Sequence, residues 1–163
     1  MSDKTLTNAE IKQELWEAIE DHQTGMLGMS SEAAALQPMT AFVEDGTDTL
    51  WFFTRADTDI AKLAGGGAAT FVFIDRKIQA TINGALSRSD DKARIDKFWN
   101  VHVAAWYPDG KDDPHLTLLR LDAHDTSVWL ADGGLFKYIF EVAKANTTGA
   151  TPDVGERRNI AFR

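Results

Sequence analysis

The chain has 163 residues, 44% of them hydrophobic, with a formal net charge of −8 and no cysteine. This length suits one domain with a single core over residues 1–163, and no run approaches the roughly 20 apolar residues of a membrane span. The excess of acidic residues disfavours nucleic acid and anionic membranes as partners. The lack of cysteine excludes thiolate chemistry. The lack of a signal segment favours a cytoplasmic location.

The first predicted element is an amphipathic helix. Thr7 and Glu10 have the Thr-x-x-Glu spacing of a capping box. An apolar stripe follows at helical spacing, formed by Ile11, Leu15, Ala18, Ile19 and His22. Residues 1–8 are expected to be loosely held, as chain termini commonly are.

A series of short strands follows this helix. Apolar or alternating runs separated by turn residues predict strands over residues 24–30, 38–44, 49–54, 70–75 and 78–86. Two further runs, 116–121 and 127–130, are predicted to form a closing hairpin around the polar residues 122–125. Strands joined by such tight turns pair antiparallel, so the pattern predicts a sheet that curls into a barrel.

Helices are predicted at three places within and after this β region. A short helix over residues 57–64 ends at three consecutive glycines, 65–67, which predict a helix C-cap and a turn. A second helix starts near Ser89, with a buried stripe formed by Ile95, Phe98, Trp99, His102 and Val103. A third covers residues 135–145. The polar tail 146–163 is expected to be loosely held, although residues 160–162 could dock.

The usual catalytic motifs are not found in this sequence. The glycines 65–67 follow a helix, whereas phosphate loops precede one. The four histidines form no HxxxH or HExxH pair. A metal site formed by His115, His124 and neighbouring carboxylates is the lesser alternative, and we predict none. No Gly-x-Ser-x-Gly elbow is present. We assign no acid, base or nucleophile, and a borrowed cofactor would be the natural source of any chemistry.

Several segments, taken in order, resemble one protein family. They are Gln-Pro-Met-Thr at 37–40, Leu-Trp-Phe-Phe-Thr at 50–54, Gln-Ala-Thr-Ile-Asn-Gly at 79–84 and Trp-Tyr-Pro-x-Gly-Lys-Asp-Asp-Pro at 106–114. The chain is similar to the general stress protein branch of the pyridoxamine-phosphate-oxidase-like flavin proteins. This resemblance implies a mainly β fold with inserted helices, a six- or seven-stranded antiparallel split barrel. It also implies a homodimer that holds FMN at the subunit interface.

The resemblance also implies which residues contact the flavin. The segments that the family uses for the ring match Pro38, Met39, Thr40, Trp51, Phe53 and Thr54, and Gln79 matches a glutamine at the ring edge. Trp106 and Lys111 match residues that border the partner subunit's flavin. Alternatively, Trp51 fills the core, Trp106 anchors the dimer and Lys111 belongs to an exposed turn.

The phosphate end of the implied site departs from the family pattern. Gln37 and Ile60 stand where the family commonly has an arginine and a lysine, so only the hydroxyl of Thr58 is kept. Arg55, Lys62 on the same helix face and the start of the helix could compensate, whereas Asp57 and Asp59 bring negative charge there. Asp57 is predicted as the N-cap. Flavin binding is therefore expected to be weaker than usual, or the ligand to carry less phosphate charge.

Three functions remain open from the sequence. The leading hypothesis is an FMN-binding protein of the general stress type that could act as a flavin-dependent oxidoreductase on a small molecule. A second is a non-catalytic module that binds or senses a flavin. A third is a dimeric barrel that has lost its cofactor. The missing phosphate-binding cations strengthen the second and third hypotheses, and the first stays the leading one.

Overall fold

The computed structural model describes residues 6–31, 35–131, 134–151 and 155–162, with side chains of the last helix described from residue 139 onward. Its helices are α1 (Asn8–His22), α2 (Asp59–Leu63), α3 (Lys92–Phe98), α4 (Val101–Ala104) and α5 (Gly134–Thr148), with a 3₁₀ turn at Gly110–Asp112. Its strands are β1 (Thr24–Met29), β2 (Gln37–Thr40), β3 (Phe42–Val43), β4 (Thr49–Arg55), β5 (Gly65–Ile74), β6 (Ile78–Ser89), β7 (Leu116–Ala131) and β8 (Gly155–Ala161). Within these ranges no helix is long and apolar enough to span a membrane.

One antiparallel sheet contains all eight strands. Its order is β2-β1-β5-β6-β7-β4-β3. The eighth strand, β8, pairs with the second half of β7, along the same edge of β7 whose first half pairs with β4. The strands β2 and β3 lie at opposite ends of this order although only Ala41 separates them in the chain. The segment 37–43 therefore draws the two ends of the sheet together and curls it. This architecture confirms the predicted mainly β fold, with eight strands among the described residues in place of six or seven.

The main core lies on the inner face of the curled sheet. Alternate residues of the central strands point inward and are fully buried, among them Leu27, Phe52, Phe71 and Ile82. Helix α1 covers this side with a buried stripe. Its capping box forms as predicted, because Thr7 Oγ1 accepts a bond from the Glu10 amide and Glu10 accepts one from the Thr7 amide. Of the segment 1–8 expected to be loose, residues 1–5 lie outside the described residues.

A second apolar cluster lies on the outer face, at one end of the sheet. Here α3 and α4 cover β4 and the first half of β7. The buried members of the cluster are Phe42, Trp51, Phe98, Val103, Tyr107 and Leu118. The rest of the outer face, over β1, β5, β6 and the second half of β7, carries partly exposed side chains.

The hairpin predicted around residues 122–125 is wrong. β7 runs unbroken from Leu116 to Ala131, pairing with β4 through its first half and with β8 through its second. The pairing with β6 shifts register between Asn83 and Gly84, opposite His124, which is the extra residue of a β-bulge. The polar side chains fit within the strand because this part of the sheet is solvated on one face.

Other element boundaries also differ from the predictions. The glycines 65–67 begin β5 through a register shift, with Gly66 at φ +94°, so they are not a helix C-cap. The predicted strand 38–44 is divided at Ala41. The helix predicted from Ser89 is two helices, because Asn100 Oδ1 accepts bonds from the amides of His102 and Val103 and so starts α4 anew.

The C-terminal tail, expected to be loose, is largely held. Gly155–Ala161 forms β8 and pairs with the second half of β7. The docking foreseen for residues 160–162 is confirmed, since Ile160 is 5% exposed and the Phe162 ring lies 5.4 Å from that of Trp16. The free edge of β7 supplies the backbone partners that this polar segment lacks by itself.

Candidate functional site

Two segments of the predicted site, one in β2 and one at the end of β4, lie on either side of a gap between these strands. β3 pairs with β4, whereas β2, which precedes it on the other side of Ala41, pairs with β1 instead. β2 nevertheless stays close to β4. We call this the β2–β4 gap. Residues 38–40 lie on one side of it and residues 53–55 on the other. The tertiary structure thus brings together two segments whose strands belong to opposite ends of the sheet.

Two hydroxyl groups meet where β4 leads into α2. Thr54 Oγ1 lies 3.2 Å from Thr58 Oγ1, and Thr58 donates its proton to the Arg55 carbonyl oxygen at 2.8 Å. Since each hydroxyl has one proton, Thr54 is the donor within the pair. Thr58 Oγ1 also accepts the Ala61 amide, so Thr58 caps α2 and the predicted cap, Asp57, is wrong. Both hydroxyl protons are engaged inside the protein.

The guanidinium of Arg55 is held by Asp57 at the same turn. Its Nε and NH2 donate to the two carboxylate oxygens at 3.1 and 3.0 Å, a bidentate pair. These bonds raise the pKa of Arg55 and lower that of Asp57. Both side chains are about half exposed. The cation predicted to compensate at the phosphate end is therefore present but already paired.

Buried groups that the sequence did not mark as functional lie behind Arg55. Asp113 is 7% exposed, and its carboxylate accepts hydrogen bonds from the amides of His115 and Asp109, which lower its pKa. Tyr107 is 4% exposed, and burial raises its pKa to about 12. The Asp-x-amide spacing of a side-chain turn was the available signal for Asp113.

Gln79 lies on the outer face of the sheet, away from the gap. Its neighbours across the strands are Ile74 on β5 and Trp129 on β7, which are 71% and 39% exposed. Its Nε2 donates to the Asp75 carbonyl oxygen at 2.8 Å, which leaves Oε1 as an acceptor. The amide is thereby fixed in orientation by the β5–β6 turn.

A row of cross-strand pairs runs from β6, near Gln79, to the β2 side of the β2–β4 gap. Pro38 pairs with Met26, Met26 with Val72, and Val72 with Thr81, which lies two residues beyond Gln79 on β6. This row is three strand spacings wide, about 14 Å. Its members are half-buried or exposed and form a mainly apolar surface, with the Thr81 hydroxyl and the Gln79 amide at its β6 end. Thr40 shares the outer face with Pro38, whereas Met39 faces inward toward Gly25.

Trp51 and Phe53 belong to the second apolar cluster. Trp51 is 2% exposed, and its indole N–H donates to Glu44 at 3.1 Å. The guanidinium of Arg94 stacks over its ring at 5.8 Å. Phe53 packs edge-on against Phe42. For Trp51 these contacts support the alternative that it fills the core.

Trp106, Lys111 and Lys62 lie at the periphery. Trp106 is 73% exposed beside α4, and Lys111 pairs with Asp96 at 2.8 Å, beside a cleft of about 740 Å³. Lys62 is exposed on α2, one turn beyond Thr58. None of the three side chains contacts the hydroxyl pair among the described contacts. Trp106 and Lys111 stay candidates for a site completed by a second subunit.

The site residues fit a flavin at its ring end better than at its phosphate end. A flat aromatic ring with a polar edge needs an apolar floor and a few oriented hydrogen-bond groups. The row from Pro38 to Thr81, with Gln79, offers both. The phosphate end offers Arg55 and two hydroxyls, all of which are engaged with protein groups. Among the described residues no cluster of histidines and carboxylates could hold a metal ion.

Comparison with known proteins identifies relatives over most of the chain. Residues 10–153 match the family model described as "Pyridoxamine 5'-phosphate oxidase like". General stress protein 26 of Bacillus subtilis (strain 168) is 24% identical over 127 residues, which cover 74% of this chain and 89% of that protein.

Two solved structures are similar in both sequence and fold. A general stress protein 26 from Jannaschia sp. CCS1 is 34% identical with a TM-score of 0.80, covering 94% of this chain and 99% of that one. The general stress FMN/FAD binding protein from Xanthomonas citri is 38% identical with a TM-score of 0.73, covering 78% and 94%. The similarity to general stress proteins confirms the resemblance found in the sequence.

Proposed function

Because the chain belongs to the pyridoxamine 5'-phosphate oxidase like family, we propose that it binds a flavin, with FMN as the expected form. The ring would lie on the outer face along the row from Pro38 to Thr81, and its tail would reach toward the hydroxyls of Thr54 and Thr58. The observation that carries this proposal is the β2–β4 gap, where the two segments named from the sequence meet. The similarity to a protein described as FMN/FAD binding supports it.

The residues of the chain would hold and orient the ring rather than take part in bond changes. Gln79 would present Oε1 to a donor on the ring edge, because its Nε2 is committed to Asp75. Met26 and Val72 would exclude water from one ring face. A bound flavin would itself supply hydride or electron exchange with a small molecule, which is the proposed oxidoreductase activity.

We further propose that two copies pair through the outer face and complete the site between them. Ile74 is 71% exposed and Trp129 is 39% exposed on this face, and Arg157 lies 5.2 Å from the Trp129 ring. Exposed apolar side chains grouped on one sheet face are typical of a protein interface. A second subunit would cover them and bring its Trp106 and Lys111 to the bound ring.

An absorbance spectrum of freshly purified protein, with gel filtration, tests this proposal. We expect a flavin spectrum or saturable binding on titration with FMN and riboflavin, in a dimeric protein. Reduction of the bound flavin by NADH or NADPH would support an oxidoreductase, and an inert yellow protein would support a binding or sensing module. A protein that binds neither flavin would contradict the proposal, and if it is dimeric it would favour the barrel that has lost its cofactor.

A further inference from the structure

Asp57 accepts hydrogen bonds from the two Arg55 nitrogens, Nε and NH2, that would bind a phosphate. A guanidinium binds carboxylate and phosphate through the same fork of parallel N–H groups. In this structure Nε and NH2 of Arg55, which form such a fork, both donate to Asp57. A phosphate that used this fork would have to displace the carboxylate and would also meet its negative charge.

The Arg55–Asp57 pair is not explained by the needs of the helix. Thr58, and not Asp57, caps α2. The turn itself is closed by the Thr58 amide, which donates to the Arg55 carbonyl oxygen at 3.1 Å. The Asp57 side chain is 54% exposed, so it contributes little to the core. Its described side-chain bonds go to Arg55.

The pair also lies beside the groups expected at the ligand's tail. Thr58 Oγ1 donates to the carbonyl of Arg55, and Thr54 Oγ1 lies 3.2 Å from Thr58 Oγ1. The backbone of Arg55 is thus bonded directly to the hydroxyl pair. The Arg55 side chain, which is 42% exposed, therefore leaves the backbone at the same turn as the two hydroxyls.

We infer that Asp57 is a specificity-determining residue that holds Arg55 as an internal counter-ion and so reduces the preference for phosphorylated over unphosphorylated flavins. The inference rests on the proposed function. With Arg55 paired, the tail end offers little net positive charge, and binding depends mainly on the ring. The chain would then discriminate FMN from riboflavin weakly.

Titration of the full chain with FMN and with riboflavin, followed by flavin fluorescence, tests this inference. Asp57→Asn frees Arg55, and we expect FMN to bind five- to tenfold more tightly while riboflavin changes less than twofold. Asp59→Asn is the matched control, because it removes the same charge from α2 without touching the pair. It should change the FMN-to-riboflavin ratio less than twofold.

A double variant separates release of Arg55 from general loss of charge. In Asp57→Asn with Arg55→Gln, the gain in FMN affinity should disappear. An equal gain in Asp59→Asn, or no change of the ratio in Asp57→Asn while both flavins bind, would overturn the inference and leave the proposed function standing. Failure of all four proteins to bind either flavin would overturn the proposed function and this inference with it.

Discussion

The side-chain amide of Gln79 donates to the backbone carbonyl of Asp75, with 2.8 Å between Nε2 and O. The turn between β5 and β6 is thus tied to a residue that the family resemblance predicts at the edge of a flavin ring. Asp75 also accepts the Lys77 amide and pairs with His22 at 3.2 Å. Because His22 belongs to α1, its contact with Asp75 helps to fix the turn and therefore the orientation of the Gln79 side chain.

Replacing Gln79 by leucine should affect both stability and binding. Loss of the bond to Asp75 is expected to lower the free energy of unfolding by about 1 kcal/mol, measured by urea denaturation. FMN and riboflavin should both bind at least fivefold more weakly, because the loss is at the ring end. Ser87→Ala on the same strand and face, outside the row from Pro38 to Thr81, is the control, with changes under twofold. Unchanged affinities in Gln79→Leu would remove Gln79 from the site.

Thr58 should be required for the tail of FMN and for the stability of α2. Thr58→Val removes the cap and the hydroxyl pair, so we expect a loss of about 1 kcal/mol in the free energy of unfolding. FMN affinity should fall severalfold more than riboflavin affinity. Thr58→Ser keeps Oγ and should behave like the natural protein in both measurements. Equal losses for the two flavins would argue against a tail at this position.

Gly84 should tolerate no side chain. A Cβ there would overlap the backbone oxygen of Asp122 and lie 3.0 Å from the Cα of Ala123, at the register shift of β6 and β7. We expect Gly84→Ala to lower the free energy of unfolding by about 2 kcal/mol or more. Gly65→Ala is the control, since nothing lies within 4 Å of its Cβ position. A neutral effect of Gly84→Ala would contradict the close strand approach.

Tyr107 should make the protein sensitive to alkaline pH. Burial raises the pKa of its hydroxyl to about 12, above the ordinary value of 10.0. The folded state therefore holds this proton more tightly than the unfolded state, and the resulting stabilisation is complete below pH 10. It is lost as the pH rises through 12, by about 2 kcal/mol. Urea denaturation from pH 8 to 11 should show about 1 kcal/mol of this loss, and Tyr107→Phe should flatten that part of the profile.

A charge on the outer face should separate the proposed dimer. Ile74→Glu places a carboxylate where the side chain is 71% exposed in the single chain. If a second copy covers this face, burying that charge without a partner is costly, and gel filtration should show a monomer. Ala9→Glu adds the same charge on the exposed side of α1 and should leave the dimer intact. A dimeric Ile74→Glu protein would place the interface elsewhere.

Local patterns were reliable where the interacting groups are close in sequence. The capping box of α1 forms because Thr7 and Glu10 lie within one helical turn. Two errors arose where local patterns were ambiguous. Asp57 and Thr58 are both good caps, and the bond from Thr58 to Arg55 decides between them. The polar residues 122–125 look like a turn, yet pairing with β6 on one side and β4 or β8 on the other keeps them in a strand.

The sequence by itself determined the class of fold and the segments of the candidate site, because alternation, turns and motif order are properties of neighbouring residues. The tertiary structure decided how the sheet closes at Ala41, why the tail forms β8, and that Arg55 is held by Asp57. Such outcomes depend on which of several possible partners a distant or flexible group contacts. The alternative pairings differ in free energy by only a few kcal/mol. That selection is made by the packing of the whole chain.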